Sequence, residues 1–367
     1  MSFSLDEKAL IWIDYFNELT YKKKEELISL FSSPKNIFTE FKTKKEEIIK
    51  IITDDQYKNM LDSCSTVAVD SYINRTLKEG VNITTYISED YPKTLLDIDT
   101  PPFVLYYKGD LSLTNNLCLS IVGTRKATIY GKTIAENFTK DLVETGFCIV
   151  SGLAVGIDTV AHKTALENNG KTIAVVAGGL DNIYPTTNFN LSKQIENNGL
   201  IISEQRLGIK PDPWLFPIRN RIIAGLSKGV LIVEANKKSG AIHTKNYALD
   251  YGKDVFVVPG SILSPQSKGC NEIIAKGEGK LVQEIDDILE EYNLIYNKEE
   301  TKEIVFTQDE EKIISAIGER EVSYQEILIK TKLDTKTLNS LLTTLSFREI
   351  IKKLAGNFYC LIYRKED

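Results

Sequence analysis

Residues 117–152, LCLSIVGTRKATIYGKTIAENFTKDLVETGFCIVSG, decide the reading of the fold. LCLSIVG and FCIVSG are short, near-continuous apolar runs that end in glycine, the pattern of strands buried on both faces. Between them, TIYGKTIAENFTKDLVETG places apolar residues at helical spacing. The alternation continues outward. GIDTVAHKTALENNG is helical, and KTIAVVAGG, GLIISE, GVLIVEA and KDVFVVPG are further strand-like runs. Such βαβ repetition predicts an α/β domain over residues 86–292. Its expected form is an extended Rossmann-like, doubly wound and mostly parallel sheet with helices on both faces.

The flanks read differently. Residues 1–85 form short helices, with LDEKALIWIDYFNEL and KKEELISLFSS the clearest and Ser33-Pro34 and Thr53-Asp54-Asp55 as breaks or caps. Residues 293–306, NLIYNKEETKEIVF, are polar and charged and read as a linker. From residue 307 to 367 three helical patterns, TQDEEKIISAIG, SYQEILIKT and DTKTLNSLLTTLSF, precede a β-rich tail. A hairpin turn is expected at Gly356-Asn357, and helices followed by a hairpin suggest a winged-helix-like module.

Composition limits the function classes. At 367 residues, 42% apolar and 26% charged, the chain has the make-up of a globular protein of two or three domains. It has no run of about 18 uncharged apolar residues, so no membrane span is expected. MSFSLDEKALIW carries acids early and lacks a long apolar core, so a secretory leader is not expected. The five cysteines are scattered without a CxxC pair. That argues against a disulfide framework or a zinc site, and for reduced thiols in a cytoplasmic protein. The net charge is −6, yet residues 117–280 hold 19 Lys+Arg against 14 Asp+Glu, leaving −11 for the rest. A basic middle between acidic ends suits an anionic ligand on the central domain.

Ligands of an open parallel sheet lie outside the carboxyl ends of its strands. Those ends here are Gly123-Thr124-Arg125-Lys126, Ser151-Gly152 and following, Ala177-Gly178-Gly179, Glu234-Ala235 leading to Lys238-Ser239-Gly240, and Pro259-Gly260-Ser261. Glycine admits backbone N–H groups to an anion, and helix N-termini behind the loops add positive potential. Several such loops in a row suit a long phosphate-bearing ligand. Arg219 and Arg221 bracket Asn220 in FPIRNRIIAGLS, a spacing able to clamp phosphates while Asn220 bonds a base edge or sugar. Tyr130 and Tyr184 are stacking candidates by loop position.

Other chemistries fail on the residues. Gly131-Lys132-Thr133 resembles the end of a P-loop, but the required earlier glycine is Lys126. No GxGxxG follows a strand. Of the two histidines, His162 lies one turn after Asp158, a pair better read as a helix-capping acid and a packed imidazole, and His243 has no evident partner. No catalytic residue, metal ligand set or cofactor motif is assigned.

The ordered blocks IVGTRKATIYGK, VSGLAVGIDTVAHKTAL, TIAVVAGGLDNIYPTTN, FPIRNRIIAGLSKGVLIVEA, KSGAIHT and DVFVVPGSILSPQSKGCNEII resemble the signature of the DprA/Smf family. With the lead-in DYPKTLLDIDTPPFVLYYKGDL, the resemblance spans roughly residues 86–290. It implies a homodimeric, non-catalytic, single-stranded-DNA-binding recombination mediator. Such a protein protects DNA entering in natural transformation, displaces single-strand-binding protein and loads the RecA recombinase. By the same resemblance Gly123, Thr124 and Arg125 form the first phosphate loop, Ser151 and Gly152 the second, Arg219-Asn220-Arg221 the RNR stretch, and Ser239-Gly240 the small-residue loop. Val155 stands where many relatives are basic, with Lys126 or Lys163 as substitutes. The family's variable ends, a SAM or helix-hairpin-helix-like domain and a winged helix, fit residues 1–85 and 307–367. The first lacks the glycine hairpin that grips phosphates, and DTKTLNSLLTTLSF has only Lys336 as a base. The alternative is a Rossmann-type sensor of a nucleotide ligand or a nucleotide phosphoribohydrolase. PGSILSPQSKG, the nearest text to that enzyme's PGGxGTxxE motif, lacks its glutamate.

Overall fold

The computed structural model describes residues 3–294, 306–318, 320–348 and 350–362. The apolar runs of the central region form one sheet: β1 (Asn82–Thr85), β2 (Val104–Gly109), β3 (Cys118–Val122), β4 (Cys148–Ser151), β5 (Thr172–Val175), β6 (Leu200–Ser203), β7 (Gly229–Ile232), β8 (Asp254–Val257) and β9 (Lys280–Leu281). The order is β1-β2-β6-β5-β4-β3-β7-β8-β9. From β6 to β9 every neighbouring pair is parallel, and β1 and β2 add an antiparallel edge. This is the expected doubly wound α/β architecture. Successive crossovers run one way from β3 to β6 and the other way from β7 to β9, so the strand order reverses between β3 and β7.

The antiparallel edge was not legible as strands. Its period of two shows in the packing. Val104 and Tyr106 point into one core and Leu105 and Tyr107 into the other. The first core is shared with the N-terminal helices, where Leu10, Ile13 and Trp12 pack with Tyr106, Ala174 and Ile201. Trp12 meets Phe41 edge-on at 5.2 Å. Polar ties reinforce the layer. The Tyr72 hydroxyl donates to that of Tyr106 (3.0 Å), and the Arg206 guanidinium lies 4.3 Å above the Tyr15 ring while Nε donates to Tyr15 O. The boundary expected at residue 85 therefore falls at the end of a sheet strand, and helices and sheet belong to one compact unit.

The second compact unit contains the helix Gln308–Ile317, β10 (Val322–Ser323), the helices Tyr324–Thr331 and Thr335–Phe347, and the hairpin β11 (Ile351–Leu354) with β12 (Phe358–Leu361). Its sheet is antiparallel in the order β10-β12-β11, over a core that includes Ile313, Ile327, Leu338 and Leu345. Gly356 and Asn357 both have positive φ, at 77° and 62°, and make the expected turn. The expected linker lies outside the described residues except for Asn293, Leu294 and Phe306. No helix among the described residues is long and apolar enough to cross a membrane.

One buried ion pair stands in the helical layer: Lys24 Nζ donates to Asp14 Oδ1 at 2.8 Å and to Asp14 O at 3.1 Å. Removing one partner leaves the other charge buried alone, at a cost of about 3–5 kcal/mol, whereas an apolar pair of similar volume is often neutral. Lys24→Ala is expected to lose stability of that order in urea unfolding, and Asp14→Leu/Lys24→Met to regain most of it. Equal losses in both variants would contradict the account.

Candidate nucleic-acid interface

The crevice outside β3 and β7 is where an open α/β sheet offers a ligand site. The loop after β3 leads into the helix Ile129–Glu144, capped by Thr128, whose Oγ1 accepts from Gly131 N at 3.1 Å. A helix N-terminus attracts an anion, and here the anion is the protein's own. Glu234, buried just past β7, accepts from Thr128 N at 2.9 Å and from Thr128 Oγ1 at 2.7 Å. A Cβ at position 131 would overlap the Glu234 carboxylate, so only glycine lets the acid reach this seat. The P-loop-like Gly131-Lys132-Thr133 is thus the wall of an internal carboxylate site.

The loop after β4 repeats the device. Asp158, in the first turn of the helix Ile157–Glu167, accepts from Gly152 N at 3.1 Å and Ala154 N at 3.3 Å. Burial raises its pKa against the opposing pull of the Arg219 guanidinium. Arg219 donates through Nη1 to Gly152 O (2.7 Å) and to Val175 O, and through Nε to Asn220 Oδ1 (3.1 Å). Burial pushes Arg219 down to about 10, Asp158 working against that shift and the Arg125 charge with it. Asn220 Nδ2 donates to Gly240 O at 3.2 Å. Arg221 is ion-paired with Glu204. Asp158 and His162 form no dyad: His162 Nδ1 lies 2.7 Å from Thr172 Oγ1, and burial, with Arg219 nearby, pushes the imidazole down to about 3.

These contacts correct two expectations. Arg219, Asn220 and Arg221 do not line an exposed groove. All three are buried against carbonyls and a carboxylate brought in from β4, β5, the end of β6 and the loop after β7, although Nη1 of Arg221 has no hydrogen-bond partner among the described residues. The N–H of Gly152 and the start of the helix after β3 are not open phosphate cradles, because Asp158 and Glu234 occupy them. Ser151 is also internal, its Oγ donating to Ile121 O at 2.7 Å. Ser239 Oγ accepts from Ala241 N at 3.4 Å and Gly240 is exposed at the same edge.

The outward face is left to Arg125 and Lys126, both exposed, with Gly123 half-buried behind them and Thr124 buried and bonded to Gln266 at 3.2 Å. The Arg125 guanidinium lies 5.1 Å above the Phe216 ring, and Tyr184 meets Phe216 edge-on at 5.8 Å. Tyr184 and Trp214 are about half exposed, at 49% and 57%. The Tyr130 hydroxyl is tied to Pro259 O at 2.7 Å. Lys163 is exposed one turn further along its helix than Thr159. No carboxylate pairs with Arg125, Lys126 or Lys163 among the described residues. Phe216 was missed from sequence; its signal is its place three residues before Arg219, one turn up the same helix. Among the described residues there is no cluster of three or more potential His, Cys, Asp or Glu metal ligands.

Residues 82–293 match the family described as DNA recombination-mediator protein A. The chain belongs to that family. It is 41% identical to the DNA processing protein DprA of Bacillus subtilis over 215 residues, 58% of this chain and 72% of the relative. It is 44% identical to DprA of Streptococcus pneumoniae over 206 residues, covering 56% and 72% of the two chains. Among solved structures it resembles Streptococcus pneumoniae DprA at a TM-score of 0.66 and 32% identity, over 79% of this chain and 99% of that one. It also resembles Helicobacter pylori DprA, described for its single-stranded DNA binding mode, at a TM-score of 0.53 and 34% identity, over 58% and 95% of the two chains. The family's matched region takes in the whole sheet, from β1 to β9.

The buried imidazole gives a pH test of this site. His162 is neutral when folded down to about 3 but takes a proton near 6.5 when unfolded. The unfolded state then binds the extra proton, so stability is full above pH 6.5 and falls as pH drops, by about 1.4 kcal/mol per unit. Chemical denaturation between pH 6.5 and about 5 is expected to show that slope from His162, less the protons taken up in the folded state by buried Asp14 and Asp158, whose pKa values burial raises. His162→Gln is expected to flatten it, and a slope that survives the substitution would point to another group.

Proposed function

We propose that the chain binds single-stranded DNA across the carboxyl edge of its sheet and acts as a recombination mediator, not as an enzyme. The observation that carries this is the exposed Arg125 guanidinium stacked over Phe216, with Tyr184 against the same ring. A cation beside half-buried Phe216 and the exposed Tyr184 and Trp214 rings suits a flexible strand, whose phosphates meet Arg125 and Lys126 while its bases stack on this aromatic group. Duplex bases are already stacked and offer no free faces. Contacts of this kind are largely indifferent to sequence. Family membership supports the reading, as does the Helicobacter pylori relative described for single-stranded DNA binding. A free nucleotide in the switch-point crevice is disfavoured, because Glu234 fills the helix end that its phosphate would need. The same engagement withholds Glu234 from hydrolytic chemistry.

The finer role follows the family. The protein is cytoplasmic and homodimeric, protects single strands during natural transformation, displaces single-strand-binding protein and loads RecA. The second unit, a winged-helix-like module, serves as a protein contact and not as a duplex reader, since its third helix carries Lys336 as its one basic residue.

Two variants separate charge from stacking. Arg125→Ala is expected to weaken binding to every oligonucleotide and to lower the slope of log K against log salt by about 0.7. Phe216→Ala is expected to lose about 1–3 kcal/mol with the slope unchanged. Fluorescence titration across a salt series reads both. Native affinity and slope in Arg125→Ala would remove the interface from this edge.

A further inference from the structure

We propose that the groove between the helices Ile129–Glu144 and Ile157–Glu167 is a nucleotide subsite: it receives one unstacked base of the bound strand, with the adjoining phosphates on Lys132 and Lys163. This rests on the single-strand reading above and extends it to a site away from the Arg125 ledge. The groove has a volume of about 400 Å³, within the roughly 300–1,000 Å³ of small-ligand sites.

Its mouth adjoins the Arg125 loop. Gly156, which lines the groove, has a φ of 89° and faces the first loop so closely that a Cβ there would lie 2.9 Å from Arg125 Cα. Any larger residue would push the two loops apart. A strand leaving Arg125 therefore reaches the groove without crossing another element. Val155 and Val160 form an apolar wall at the entrance, and Val155 is 38% exposed. The floor is held rigid by Asn188, whose Nδ2 donates to Leu153 O at 2.9 Å and to Thr159 Oγ1 at 2.8 Å. Thr159 Oγ1 in turn donates to Ala154 O at 2.7 Å.

The charges are ordered along the groove. Lys132 and Lys163 stand on opposite walls, both exposed and without a carboxylate partner among the described residues. Glu136 and Glu167 follow one turn further from the sheet edge on the same helices. Phosphates are favoured at the lysines and repelled by Glu167 beyond Lys163, so the groove accepts one nucleotide unit and does not thread a chain along its length. An apolar wall of Val155 and Val160 between two cations matches a base flanked by phosphates.

The test uses the full chain and oligothymidylates of increasing length, with and without one internal abasic position. Lys132→Ala/Lys163→Ala is expected to bind the shortest oligonucleotides as the native protein does. It should lose at least about tenfold on longer ones, with the salt slope lower by about 0.7 per lysine. Val155→Glu, also at an exposed position, is expected to weaken the longer complexes and to abolish their sensitivity to the abasic position. Native affinity of both variants for every length, while Arg125→Ala is impaired, would overturn the subsite and leave the strand-binding reading intact. Failure of the native protein to bind any oligothymidylate at low salt would overturn that reading and the subsite together. Displacement of the longer complexes by thymidine monophosphate as effectively as by the oligonucleotide would make the groove a free-nucleotide site and overturn its assignment to the strand.

Discussion

The buried guanidinium of Arg219 is the contact on which the carboxyl edge of the sheet, the proposed binding edge, depends. It joins Gly152 O past β4 to Val175 O at the end of β5, and faces the Asp158 carboxylate that holds the N–H groups of the same loop. A buried cation of this kind is tolerable only when fully engaged. Gly152 is glycine for the same reason, since a Cβ there would lie 2.7 Å from Arg219 Nη2. Phe216 sits one turn earlier on that helix, so the residue that anchors the interior also orients the ring on which Arg125 rests.

The edge of the sheet follows a consistent division between interior and exterior. Helix ends that would attract phosphate are filled by Glu234 and Asp158, and Arg219 and Arg221 are turned inward. What remains outside is long side chains and aromatic faces. The fold's usual nucleotide crevice is thereby converted from a cradle made of backbone into a surface made of side chains. A polymer can lie along such a surface, whereas a small phosphate ester finds no enclosed seat in it.

Most of the architecture was legible because the six parallel strands β3 to β8 are uninterrupted apolar runs that end in glycine or small residues. The edge strands were not. β2 is preceded by Thr100-Pro101-Pro102, and β9 has only two paired residues, too few for a period to show. At the site, Arg125 and Lys126 were readable because loop position alone exposes them. Arg219 and Arg221 were not, because an arginine in sequence reads as surface charge and its burial is decided by partners far along the chain. Gly152, Val175 and Glu204 are brought to them only by the sheet. Glu234 and Thr128 are likewise 106 residues apart, a pairing that no local pattern announces.

The carboxylate beneath the Arg125 loop has a kinetic consequence. A loop whose N–H groups are already bonded to Glu234 keeps its shape whether or not a strand is present. Binding then requires little ordering of the protein, and the conformational cost that slows many recognition loops is largely absent. On the proposed reading, encounter with a strand would be governed by diffusion and long-range attraction to the basic edge, which salt screens. Residence time would be governed separately, by how many bases found a ring to rest on. The rate of capture and the duration of hold would thus be set by different side chains.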